Sequence, residues 1–519
     1  FINLKYLVII GDETVISPLY YLGVPCDDCF SSTNVNDPNP KLITGRILSS
    51  NLVDANTIID NTINYSLNSA PGDWKSKLLL FCDDQFKHGE LIRSEKWHTL
   101  HSEVIYNALK DNLNVHCMYG PMFERQQSVD WYSQPNFTDS LIQSINQGVG
   151  IINYIGHGTS EFLADENILT YSDIDRIDIS ESSDGIGNPL PIWVVGTCAF
   201  GNYTNQNCLA EKILTKGNAG IAVISSTGGV TPAANFLYLK NLFVENLHKY
   251  LNGDQILNCT GECNRLGDLF YYSKDFIAQS SSKIHLFGDP ALKLQLSKSN
   301  DNLINGSITS LSVGTENNII INNNSLSTLN ILSNDRLTSL SYDYTGSNPQ
   351  DSCVIYPDDW ECLDNFEFYY NGASIYKEQS YSSFNIMLPI DAAQLNEVNI
   401  KVQNDANNFI QNLAGINLTI DSNNFCMENN ISPSITILHN NILINNLSTI
   451  YPPYNLRIEF DNDLPINTLG LFNHINKLWI DDNHQESITL NISETAGSSE
   501  FSEIEIPDRY VTNDEHQIN

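Results

Sequence analysis

Across residues 1–297, short apolar runs alternate with amphipathic stretches, and that alternation confines this part of the chain to an α/β fold. The strand-like runs are Leu4–Gly11, Lys77–Phe81, Gly150–Ile155, Ile192–Gly196 and Ile221–Ser225. Between them, helical periodicity marks Asp54–Tyr65, Glu95–Leu113, Thr138–Gln147, Leu209–Lys216 and Ala233–Asn252. Strand followed by helix, repeated, predicts right-handed crossovers into a parallel sheet covered by helices on both faces.

Near Leu294 the pattern changes. Asn, Ser and Thr rise, and alternating runs such as Asn318–Asn322 and Ile435–Leu438 replace helical periodicity, with turn residues at short intervals. This composition predicts all-β sandwich modules. At about 150 residues per domain, 519 residues suggest three domains. The expected boundaries are 1–297 for the α/β domain, 298–428 for a β-sandwich and 429–519 for a second β-domain cut short at Asn519.

Charge narrows the partners. The formal net charge is −35, from 61 acidic and 26 basic residues. Nucleic acid and anionic membranes both require basic patches, so neither is an expected partner. No run approaches the ~20 apolar residues of a membrane-spanning helix. The chain opens on Phe1 and runs at once into an apolar strand, as an internal fragment would, so the lack of a signal peptide carries no information. Few lysines and many Asn, Asp and Ser suit a secreted or surface protein, although any acidic, soluble chain shares that trait.

The 11 cysteines include three close pairs, Cys26/Cys29, Cys259/Cys263 and Cys353/Cys362, which suit disulfides in an oxidising compartment. A redox or metal role for Cys26-x-x-Cys29 is the rarer alternative, because no second pair sits at zinc-like spacing. Cys82, Cys117 and Cys208 lie in or beside apolar runs and read as buried thiols.

Two strand-like runs end on chemistry. Gly150–Ile155 leads into Gly156-His157-Gly158, and Ile192–Gly196 leads into Thr197-Cys198. In an open, mostly parallel sheet, active sites gather at the carboxyl ends of strands. Neighbouring strands would therefore set His157 opposite Cys198. A thiol attacks as thiolate, and an adjacent imidazole supplies that ion. In this reading His157 takes the Cys198 proton and later returns it to the leaving amine. The backbone N–H groups of Gly158 and Cys198 lie on the same two loops and form the candidate oxyanion hole. His157 precedes Cys198 by 41 residues, in the order and near the spacing of the caspase signature, about 50. Taken singly, a cysteine or histidine is more often structural; the joint pattern selects these two.

These segments resemble the gingipain family of cysteine peptidases, which have a caspase-like α/β fold. The likeness covers most of residues 1–297. Leu7–Asp12 looks like the family's early strand ending in Gly-Asp, and Thr44–Ile47 like its Gly-Arg turn segment. Asp73-Trp74 followed by Leu78–Asp84 looks like its Trp-strand-Asp-Asp segment, and Leu286–Leu292 like the motif that closes the catalytic domain. The resemblance implies Cys198 as nucleophile and His157 as general base. It also implies a third, orienting acid near Glu103, for which a solvated helix charge is the competing reading.

The tail decides between branches of the family. Pro433–Thr436, Leu464–Thr468, His474 and Leu478–Asp482, with Gly372–Pro389 before them, resemble the modules of type IX secretion sortases. That implies an enzyme on the outer surface of a Bacteroidota-type bacterium. It would remove carboxy-terminal sorting domains from secreted cargo and join the cargo to an anionic lipopolysaccharide. Two departures bear on specificity: Ala199 stands where sortases tend to carry an acid, and Thr227-Gly228-Gly229 where an Arg is common. A plain secreted endopeptidase is the nearest rival, and a non-catalytic surface scaffold with an idle Cys198 the more distant one.

The chemistry requires no cofactor. Some gingipains bind calcium, and Asp173, Asp175, Asp178, Glu181 and Asp184 form an oxygen-rich stretch. Their spacing is not that of an EF-hand, and a solvated acidic face is the commoner origin. His88, His98 and His101 lack the zinc-helix pattern and read as surface or core histidines.

Overall fold

The computed structural model describes residues 4–34, 37–69, 71–86, 95–127, 132–179, 189–274, 281–313, 315–322, 325–333, 336–341, 365–370, 374–388, 392, 395–404, 408–420, 434–439, 442–443, 455–461, 477–478, 488–489 and 499–505. Cys353, Cys362, His88, Glu181, Asp184, His474 and the tail segments 464–468 and 479–482 lie outside these residues. The chain forms two compact units. One comprises residues 1–299 and 337–370, the other 300–336 and 371–519.

In chain order the first unit contains β1 (Tyr6–Ile10), β2 (Ile43–Ile47), α1 (Leu52–Leu67), β3 (Lys77–Cys82), α2 (Trp97–Leu109), β4 (Asn114–Tyr119), α3 (Pro135–Asn146), β5 (Ile151–Ile155), β6 (Ile192–Gly196), α4 (Leu209–Thr215), β7 (Ala222–Ser226), α5 (Pro232–Lys240), α6 (Leu266–Tyr272) and β8 (Ile284–Phe287). The helix begun by α5 runs on through a π-helical stretch, Asn241–Leu247, and ends at Leu251.

The eight strands form one sheet in the order β1-β2-β8-β7-β6-β5-β3-β4. Neighbours pair in parallel except β7 and β8, which are antiparallel. The sheet is therefore mostly parallel, with one antiparallel neighbour pair. The single helices α1, α2, α3 and α4 return the chain to the start of β3, β4, β5 and β7, whereas two helical passes, α5 and α6, separate β7 from the antiparallel β8.

Alternating strand residues face two cores. Leu78, Leu80, Val194 and Ile224 pack with Ile105 and Leu109 of α2 and with Leu239, Leu269 and Phe270. Leu79, Phe81, Ile152, Trp193 and Val223 pack on the other face with Ile58 of α1, Phe137 and Leu141 of α3 and Ile213 of α4. Both faces are covered, which is why these strands read as unbroken apolar runs. Each fully buried large side chain contributes roughly 1.5–3 kcal/mol.

The second unit is built of strands. Ser310–Val313, Phe409–Ile420, Glu397–Asn404, Ser327–Ser333 and Ser374–Ser380 lie side by side in that order, and Glu316–Ile320 pairs with Ser383–Met387. Leu329, Ile331, Phe384, Ile386, Val398 and Ile400 share their core. A further sheet runs Ile442–Leu443, Ser434–His439, Asn455–Asp461, Ser499–Glu505.

Candidate active site

Strands β5 and β6 are parallel neighbours, with Ile155 opposite Gly196. The ladder continues one step, from Gly156 N to Gly196 O at 3.3 Å. His157 and Cys198 each lie two residues past the Ile155–Gly196 pair, so they leave the sheet level with each other on adjacent strands. Adjacent strands lie roughly 4.8 Å apart. Gly158 completes the approach: a Cβ there would lie 2.9 Å from Thr197 Oγ1, closer than such contacts occur.

The imidazole is held from two sides. His157 Nε2 lies 2.8 Å from Glu95 Oε2. Its backbone N donates to Asp83 Oδ2 at 2.9 Å, and its carbonyl accepts from Tyr154 Oη at 2.7 Å. Asp83 stands just past the end of β3, so the Asp83-Asp84 segment seen in the sequence lies beneath the base. The Glu95 hydrogen bond, opposed by burial and joined by the nearby Asp83 charge, lifts His157 to about 9. Burial alone would raise Glu95, but the hydrogen bond from His157 and the neighbouring His98 hold it down at about 2.

The carboxylate that meets the His157 ring is Glu95, whereas Glu103 faces another partner. Glu103 sits within α2, buried, and accepts from Tyr119 Oη at 2.7 Å. It is neither a solvated helix charge nor a partner of His157; it answers a buried phenol. Glu95 precedes the helix, where the chain is free to bend toward β5. A second imidazole joins it: His98 Nε2 lies 3.7 Å from the same Glu95 oxygen, and its ring stands edge-on to His157 at 5.3 Å. Burial lowers the pKa of His98, against the pull of the Glu95 carboxylate. The sequence signal for this pair was the Glu95-x-x-His98 spacing across a helix start. His101, by contrast, is a core residue stacked on Phe236 at 3.9 Å.

Cys198 is unbridged and half-buried. Its Sγ accepts from Val230 N and donates to Val230 O, each at 3.4 Å. Next to it Ala199 adopts φ +52°, held by a bond from its N to Gly228 O at 3.0 Å. A left-handed residue other than glycine costs about 1–2 kcal/mol, and such strain gathers at functional turns. Gly158 bridges Leu163 through bonds made by its neighbours, Ala164 N to His157 O and Thr159 N to Phe162 O, which leaves the Gly158 N–H outside that ladder. The other described free thiols, Cys82, Cys117 and Cys208, are buried, and burial raises the pKa of each, Cys208 to about 12. Cys26–Cys29 and Cys259–Cys263 are disulfides.

The described acids of the 173–184 stretch are committed to protein donors: Asp173 to Arg176, Asp175 to Lys212 and Asp178 to Asn218. Carboxylates converge instead at Asp83, Asp84 and Glu166. Arg125 answers two of them, at 3.3 Å to Asp84 and 2.9 Å to Glu166, with its guanidinium over the rings of Phe86 and Tyr132. Burial and the Glu166 charge push Asp83 to about 7 and Asp84 to about 8.

The family profile for peptidase family C25 matches residues 2–295. Gingipain R2 of Porphyromonas gingivalis is 24% identical over 232 residues, 43% of this chain and 29% of the relative. Gingipain R1 of the same species is 24% identical, with 21% of its length matched. The match thus spans less than a third of either relative. Among solved structures, the Arg-specific cysteine proteinase gingipain R aligns over 81% of this chain and 84% of its own, at TM-score 0.47 and 17% identity. Dimeric latent PorU from P. gingivalis aligns over 100% of this chain and 46% of its own, at TM-score 0.25 and 13% identity.

Proposed function

We propose, from the premise that this chain belongs to peptidase family C25, that Cys198 is the nucleophile of a cysteine peptidase, His157 its general base and Glu95 the acid that orients the imidazole. The supporting observation is the pair of strand ends, with His157 and Cys198 level on β5 and β6 and Glu95 2.8 Å from His157 Nε2. With Nε2 engaged by Glu95, Nδ1 is the nitrogen available to the thiol. The thiol proton passes to the imidazole, and the thiolate adds to the scissile carbonyl. Charge developing on the carbonyl oxygen is met by the backbone N–H groups of Gly158 and Cys198. The imidazolium protonates the leaving amine and a thioester remains on Cys198. Glu95 keeps the ring in one tautomer throughout. Every step runs on side chains and backbone of this chain.

For the biological role we propose a sortase of type IX secretion. An amine on a surface lipopolysaccharide would resolve the thioester after removal of a carboxy-terminal sorting domain, at the outer surface of a Bacteroidota-type bacterium. The tail segments beginning at Pro433 support it. Hydrolysis of proteins, with water as acceptor, is the second reading; the gingipain relatives and the departures at Ala199 and Thr227–Gly229 favour it. Cargo bearing a sorting domain, incubated with and without a glycan amine, separates the two by mass. An amide-linked product supports the sortase. Free acid alone in both samples supports the endopeptidase, and uncleaved cargo with Cys198 unreactive would return the scaffold reading.

A further inference from the structure

The Cys26–Cys29 turn touches both loops that flank the candidate nucleophile. Its cysteines are buried, Cys26 wholly and Cys29 at 5% exposure. Asp27, between them, accepts from Arg46 Nη2 at 2.7 Å and from Tyr203 Oη at 2.9 Å. Arg46, wholly buried, also donates to Gly11 O at 2.8 Å and lies 4.7 Å from the centre of the Tyr203 ring. Tyr203 follows Cys198 on the loop that Gly201 N ties to Ser226 O at 2.9 Å. On the other side, Pro25 O accepts from Thr227 Oγ1 at 2.9 Å and from His285 Nε2 at 3.1 Å. Val24 packs so closely that a Cβ on Gly228 would lie 2.5 Å from its Cγ1. This second loop carries Val230, whose N and O bracket the Cys198 Sγ, and Gly228, whose O holds Ala199.

We propose that the disulfide-closed Cys26–Cys29 turn is the brace that sets the nucleophile, and that Thr227, fixed on Pro25 O, is a positioning residue for Cys198. Asp27, through Tyr203, does the same for the loop after the nucleophile. The inference rests on the reading of Cys198 as nucleophile. Its physical basis is that a thiol is a weak hydrogen-bonding group, so the two 3.4 Å contacts to Val230 cannot place Cys198 unaided. The left-handed turn at Ala199 also needs support from outside itself. A turn closed by a covalent bridge, with its carbonyl and carboxylate each bound to one loop, supplies that support.

Two variants of Thr227 test it. Thr227→Val keeps the shape and removes the hydroxyl; Thr227→Ser keeps the hydroxyl. The brace predicts that Val lowers kcat on the order of tenfold with KM within about twofold, and that Ser restores kcat. The rate of Cys198 alkylation should fall and recover in parallel. A Cys26→Ala/Cys29→Ala variant that folds, judged by its unfolding transition, should show the same kcat loss; if it does not fold, the Thr227 pair decides alone. Wild-type kcat in Thr227→Val, or a loss that Ser does not restore, overturns the proposal. Should wild type itself show no Cys198-dependent turnover, the functional reading fails, and the alkylation rates of the two Thr227 variants still judge the brace.

Discussion

Glu95 and Glu103 carry the same group eight residues apart, and only their surroundings separate them. One meets an imidazole, the other a buried phenol. The gingipain resemblance pointed to an acid near Glu103, but a carboxylate on a helix does not announce its partner, and Glu95 reaches His157 from outside the helix. The difference is measurable. His157 stands at about 9 because of Glu95, so activity that needs the imidazolium–thiolate pair should fall above about pH 9. In Glu95→Gln that falling limb should move down toward the ordinary histidine value of about 6.5, with kcat lower by roughly 10²–10⁴-fold. Glu103→Gln keeps an acceptor for Tyr119 and should leave the pH profile unchanged, at a stability cost of about 1 kcal/mol. pH–rate profiles of the two variants check both statements. Cys198 and His157 were legible because each follows an apolar run that stops at a glycine; His98 was not, because a buried histidine reads as core until its neighbour is known.

At the scale of elements, four of the five recognised strands owed their visibility to burial on both faces, while the edge strand β1 is apolar but exposes Val8 and Ile10. Thr44–Ile47 was matched to a turn segment through the family resemblance, yet it lies in strand β2. The structure buries Arg46 by giving its guanidinium Asp27, Gly11 O and Ile16 O. Nothing local in the sequence of β2 reveals those partners. The direction of β8 was equally hidden, since an apolar run carries no sign. Sequence marked the endings of β5 and β6 but left their adjacency a condition; the structure pairs the two strands, and that adjacency makes Gly158 sensitive. In Gly158→Ala the new Cβ must displace the Thr197 side chain or the His157 loop. Steady-state kinetics should show kcat reduced at least about tenfold, with the unfolding midpoint little changed; unchanged kcat would contradict the close approach of the two loops.

For the whole molecule, charge and burial act in one direction with pH. Burial raises Asp83 to about 7, Asp84 to about 8 and Glu211 to about 7, so the folded chain holds protons that the unfolded chain would release. Stability from these groups is present below about pH 4 and is lost as pH rises through about 7–8. His157, raised to about 9, adds a contribution that is full below about 6.5 and lost as pH rises through 9. A net charge of −35 adds self-repulsion that grows as acids ionise. The unfolding midpoint should therefore be higher at pH 5.5 than at pH 8.5, by at least about 3 °C, and calorimetry at the two values checks it. The central claim is that Cys198 is a thiol activated by His157. Its most direct test is the rate of Cys198 alkylation by iodoacetamide at neutral pH in wild type and His157→Ala. The account predicts fast labelling of Cys198, ahead of Cys82, Cys117 and Cys208, and a drop of at least roughly tenfold in the variant. Labelling of Cys198 at the same rate with and without the imidazole would contradict it.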